Sequence, residues 1–228
     1  MSRDDLLGTN LKIIKQVAQG IKKTSPNAFV ICITNPLDVI VMAFQKYSGL
    51  ATNKVVGMAG ILDSSRFKYF LSQELKVPVK SVESLVLGGH GDTMVPMPNQ
   101  TKVNSKPLNQ LIEKGKLDLI IERTRKGGGE IGKLLQKGSA FYAPASAGIE
   151  MGESYIKNLK KILPCAAYLN GEYGVKNLYV GVPVVIGSGG VEKVVELTLN
   201  EKETKNLNIS IKAVKELYNA ACKIDQDL

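Results

Sequence analysis

The stretch "LVLGGHGDTMVP", Leu85 to Pro96, holds the only histidine of the chain. His90 stands between glycines, two residues before an acid, at the end of an apolar run. Imidazole is the side chain that exchanges protons near neutral pH, so His90 is a candidate acid/base group. Asp63 and Arg66 are three residues apart on a predicted helix and share one of its faces. Asn35 falls at the end of a predicted strand, and Arg3 in the polar lead into the first helix. A base, a carboxylate, two guanidiniums and an amide suit a small anionic substrate, because the guanidinium fork grips a carboxylate through two hydrogen bonds. Spacing alone leaves both Asp63 and Asp92 open as the partner that orients the ring. It also leaves open a plain loop histidine, a surface Asp63–Arg66 pair and an ordinary Asn35–Pro36 turn.

These side chains need a scaffold. Residues 3–24 carry Leu7, Leu11, Ile14, Val17 and Ile21 at helical steps, with Ser2 as cap and Asp4 and Asp5 at the positive end of the dipole. "AFVICITNP" predicts a buried strand over Ala28–Ile33, covered on both faces, with a polar tip at Thr34 and Asn35. Pro36 opens a helix to about Tyr47, "NKVVGMA" reads as a strand, and a helix follows from about Leu62 to Leu75. This alternation is that of a doubly wound α/β sheet. Beyond it, two short strands flank the His90 turn. Helices are expected over 107–136, broken near "KGGGE", and over 143–160. "ILPCAAYL", "LYVGVPVVIG" and "VEKVVEL" predict an antiparallel meander, and 200–225 a final helix. The fold class is α/β: the C-terminal half of a Rossmann-type parallel sheet, then an α+β catalytic domain with antiparallel strands. The boundary is drawn near residue 60, giving domains 1–60 and 61–228.

Composition removes several function classes. The apolar fraction of 44% supports a globular core. The net charge of +9 is carried by scattered lysines without interleaved aromatics, which argues against nucleic acid. No run approaches a membrane span, and "MSRDDLLGTN" lacks a basic signal-peptide start. Three distant cysteines contain no C-x-x-C pair, so no metal site is expected and reduced thiols place the chain in the cytoplasm. Gly187–Gly190 departs from G-x-G-x-x-G and sits between strands, so it reads as a turn; "KGGGE" is no P-loop.

The ordered set "ITNPLDV", "ILDSSRF", "LVLGGHGDTMVP", "GSAFYAPASA", "LPCAAYLNGEYG" and "LYVGVPVVIGSGGVEKVVEL" resembles the lactate/malate dehydrogenase family, nearest to its bacterial malate-oxidising branch. The resemblance covers essentially the whole chain. It implies an NAD-dependent dehydrogenase that reversibly oxidises malate to oxaloacetate, His90 taking the hydroxyl proton as hydride leaves C2 for the nicotinamide. It implies Asp63 as the orienting carboxylate, which demotes Asp92. Arg66 becomes the clamp on the C1 carboxylate, Arg3 the loop arginine that polarises the reacting C–O bond, and Asn35 a contact to substrate and cofactor. Asn10, Ile33, Thr34 and Asn35 line the nicotinamide side. Ser139 falls in a substrate-pocket helix. A homodimer or homotetramer of the full-length form is implied as well.

The pattern departs at its start. The resemblance leads one to expect a strand, a glycine loop and a ribose-binding acid ahead of "MSRDD", so the chain reads as an N-terminal truncation expected to bind NAD poorly. The loop residue that reads a second carboxylate would fall upstream of Met1. Its strand at 28–33 is expected to have an unpaired or poorly covered edge. The alternatives are a lactate or other 2-hydroxyacid dehydrogenase, or a non-catalytic oligomerising fragment.

Overall fold

The computed structural model describes the backbone of residues 3–228 and side chains from Leu7 onward. The Ser2 cap and the Asp4 and Asp5 side chains lie outside the described residues. Helix α1 (Arg3–Thr24) leads into β1 (Val30–Cys32), α2 (Leu37–Ser48), β2 (Val55–Gly57) and α3 (Gly60–Leu75). Short strands β3 (Val82–Glu83), β4 (Val86–Leu87), β5 (Val95–Pro96), β6 (Lys102–Val103) and β7 (Lys106–Pro107) follow. Then come α4 (Lys114–Leu135), α5 (Tyr142–Ile156), β8 (Lys161–Asn170), β9 (Lys176–Gly187), β10 (Gly190–Val194) and α6 (Glu201–Ile224).

One sheet runs β1-β2-β8-β9-β10. Its β1–β2 pair is parallel, and the rest is an antiparallel meander joined to β2 through the single pairing of Gly57 with Ala166. The Val55–Val56 and Val180–Ile186 side chains fill the core with Leu37, Val41 and Phe44 of α2. Phe67 and Leu71 of α3 centre a second cluster, and Leu7 and Leu11 of α1 meet Ala221 of α6 over α2 in a third. Asn200 caps α6 by accepting from the Glu203 amide, and Glu203 returns the bond to the Asn200 amide.

Three expectations change. The first strand is three residues long rather than Ala28–Ile33, because β2 offers only Val55–Gly57 to pair with. Among the described residues it is an edge strand paired with β2 alone, and within it only Cys32 is buried, so it is not covered on both faces. Helix α4 begins at Lys114 rather than 107, since Lys106–Pro107 pairs with β6. It also passes unbroken through Gly127–Gly129. Each glycine costs a helix about 1 kcal/mol, but here bare backbone lets Arg66 lie against it: a Cβ on Gly127 would stand 3.3 Å from Arg66 Cδ. Helix α5 ends at Ile156, not 160, because Asn158 and Lys160 both take left-handed backbone.

The β4–β5 hairpin is held against β9. The Gly88 amide donates to the Gly181 carbonyl at 2.8 Å, and Gly88 itself has φ +82°. A Cβ on Gly181 would lie 2.1 Å from the Gly88 carbonyl oxygen. Gly181→Ala is therefore expected to destabilise the protein by about 1–3 kcal/mol and to displace the His90 loop. Denaturant unfolding and the His90 NMR shift check this; an unchanged midpoint and shift would contradict it.

Candidate active site

Helix α3 follows β2 after two residues, so its first turn lies at the carboxyl end of that strand, beside the β4–β5 hairpin. That turn carries Asp63, which is 1% exposed. Its Oδ2 meets His90 Nδ1 at 2.8 Å, and its Oδ1 accepts from Arg66 NH1 at 3.1 Å. One buried carboxylate thus holds an imidazole with one oxygen and a guanidinium with the other. The neutral ring donates from Nδ1 to the carboxylate, which leaves Nε2 with its lone pair free to act.

A cavity of about 320 Å³ opens onto this pair, its wall including His90, Arg66, Asn35, Arg125, Met94 and Gly128. It is at the small end of ligand sites and suits a small molecule. Arg66 NH1 is engaged by Asp63, and its Nε is buried without a partner. A buried N–H without an acceptor is costly and invites one, and a carboxylate has the fork geometry to answer it.

Burial works against a charge on His90, and the nearby Arg66 adds to that. Attraction to Asp63, the hydrogen bond the ring donates to it, and attraction to Asp38 outweigh both, so the His90 pKa is raised above its ordinary value. The ring is biased towards imidazolium, the form that gives a proton to a carbonyl oxygen.

His90, Asp63, Arg66 and Asn35 come together at the cavity. Asp92 lies at the mouth and is exposed, and it is Asp63 that touches the ring. Asn10 Nδ2 donates to the Asn35 carbonyl at 2.7 Å. Ile33 and Thr34 are exposed at the carboxyl end of β1, beside the cavity but not in its wall. The Arg3 side chain lies outside the described residues. Ser139 is exposed ahead of α5 and does not line the cavity. Sequence reasoning missed Arg125, whose Nε donates to the Met94 carbonyl at 3.1 Å, because it immediately precedes "KGGGE", which read as a helix break. It also missed Asp38, which accepts from the His90 amide. Among the described residues, no cluster of acids, cysteines and histidine could hold a metal. No helix there is long and apolar enough to cross a membrane.

Residues 1–57 match the lactate/malate dehydrogenase NAD-binding domain, and residues 61–224 match the alpha/beta C-terminal domain of the same family. The chain belongs to the lactate/malate dehydrogenase family. It is 68% identical to a malate dehydrogenase of Pelagibacter ubique, matching over 100% of this chain and 73% of that protein. The crystal structure of Cryptosporidium parvum malate dehydrogenase superposes with a TM-score of 0.95 at 44% identity, covering 98% of this chain and 73% of that one. A Cryptosporidium parvum lactate dehydrogenase, solved with lactic acid and nicotinamide adenine dinucleotide, gives 0.94 at 46% identity, covering 96% and 71%. The family fold and its NAD-binding character are thus shared by this chain.

The charge on His90 carries a stability consequence. A raised folded-state pKa means that the folded chain holds the proton more tightly than the unfolded one. The pair's contribution is whole below the ordinary value of 6.5 and is lost as pH rises through the folded value. Asp38, pushed up to about 6 chiefly by burial, acts with the same sign lower down. The stability advantage of the native chain over His90→Gln is expected to shrink as pH rises above 6.5. Thermal unfolding across pH checks it, and an advantage that grows would contradict it.

Proposed function

We propose that the chain is an NAD-dependent malate dehydrogenase interconverting malate and oxaloacetate, with its substrate in the His90 cavity. The observation that carries this is Asp63, whose two oxygens bind the acid/base ring and the anion-binding guanidinium at one cavity wall. The malate dehydrogenase relatives support the substrate class.

Arg66 binds the C1 carboxylate and sets C2 opposite His90. Asn35 steadies the reacting oxygen, and Arg3, by the family pattern alone, polarises the C–O bond. In malate oxidation His90 Nε2 takes the hydroxyl proton while Asp63 stabilises the imidazolium formed. In oxaloacetate reduction the same nitrogen returns it. The rim of β1 fits a nicotinamide: the apolar Ile33 side chain, 45% exposed, stands beside Thr34 and Asn35, with Asn10 bracing the Asn35 carbonyl. NAD, when bound, supplies the hydride acceptor. On this reading residues 1–60 serve the nucleotide and 61–228 the substrate. Assembly into two or four copies belongs to the proposal too; the exposed Ile13 and Val17 of α1 offer apolar surface for it.

Oxaloacetate is expected to drive NADH oxidation by the chain, and His90→Asn to lower the rate by about 10²–10⁴-fold. Pyruvate outperforming oxaloacetate would overturn the substrate and point to lactate. A folded chain without turnover at saturating NADH, or one indifferent to His90→Asn, would overturn the proposal.

A further inference from the structure

The His90 loop divides two cavities. The substrate-side cavity is not lined by Asp38, but a second one of about 470 Å³, between the loop and α6, is. Asp38 stands in the first turn of α2 and is 7% exposed. Its Oδ2 accepts from the His90 backbone amide at 2.8 Å. The preceding Gly89 amide donates to Ser210 Oγ of α6 at 2.8 Å. A Cβ on Gly89 would stand 2.7 Å from Val214 Cγ2 and 3.3 Å from Asp38 Oδ2, so the loop is pressed between α2 and α6. Asp38 Oδ1 is buried with no hydrogen-bond partner. A buried carboxylate with one bare oxygen is expensive, and a positive charge nearby offsets part of that cost.

From this geometry we infer that Asp38 is a positioning residue for His90, holding its main chain from behind and acting as a second carboxylate that favours the imidazolium. The inference rests on the acid/base reading of His90. Asp63 holds the ring from the side of α3; Asp38 holds the backbone from α2 and acts on the ring through space. Among the described residues, the charged groups facing this centre are Asp63 and Arg66 from α3, Asp92 from the loop itself, Arg125 from α4 and Glu216 from α6. Burial pushes the Asp38 carboxyl up to about 6, opposed by the His90 amide bond and by attraction to His90. Above that pH Asp38 is anionic and supports the charged ring; below it, the carboxyl is neutral and its support fades. The two groups titrate as a coupled pair.

The chain's single histidine makes the test direct. Asp38→Asn keeps an oxygen for the His90 amide but removes the charge. NMR titration of the His90 ring should show its transition moved to lower pH in Asp38→Asn, with the fold retained. A purely structural role predicts an unmoved transition, and that result would overturn the inference. Should Asp38→Asn fail to fold, carbon-13 titration of the native chain decides: an Asp38 carboxyl shift that follows the His90 transition supports the inference, and one blind to that transition overturns it. Neither readout requires turnover. A chain with no malate chemistry but a displaced His90 transition would sink the proposed function and leave this inference standing.

Discussion

A carboxylate that is 1% exposed carries its charge at least cost when both oxygens are paired, and Asp63 meets that demand with His90 and Arg66. Removing water from an ion costs several kcal/mol, and only close opposite charges with good hydrogen bonds offset it. The same pairing fixes the chemistry. It sets the imidazole tautomer, turns the free ring nitrogen outwards, and places a guanidinium in the same cavity wall. Stability and reactivity are here one interaction seen from two sides, because the bond that makes Asp63 tolerable is the bond that orients the base.

The rest of the structure brings three distant segments to that point. The carboxylate comes from the first turn of α3, the ring from a hairpin loop, and the backing carboxylate from α2. Tight backbone contact does the joining. Gly181 lets β9 run against Gly88, Gly89 fits between α2 and α6, and Gly127 lets Arg66 rest on α4. Side chains at these places would push the loop and the guanidinium outward, and a cavity of about 320 Å³ tolerates little displacement before its groups cease to converge.

Much of this was legible in the residues. Apolar stripes announced α1 and α6, the valine-rich runs announced the β8–β10 meander, and strands on both sides of His90 announced its hairpin. The choice between Asp63 and Asp92 was not a matter of spacing: it came from the family motifs, and in three dimensions from a partner 27 residues away rather than two. Asp38 escaped notice because an acid in the first turn of a helix is ordinarily a dipole complement; only the fold aims it at the His90 amide. The continuity of α4 escaped because glycine propensity argues for a break, whereas packing on Arg66 decides the matter. The extent of β1 escaped because a strand's length is set by its partner, and β2 is short.

The central claim is that His90, charged by its carboxylate neighbours, is the proton donor to a keto-acid bound by Arg66. The affinity of the chain for oxaloacetate against pH, followed at the single histidine ring, tests it most directly. Binding is expected to be tight while the imidazolium persists and to weaken about tenfold per pH unit above the His90 transition, as one proton must be restored. An affinity flat across that transition would mean that the ring does not meet the substrate in its protonated form, and would contradict the account.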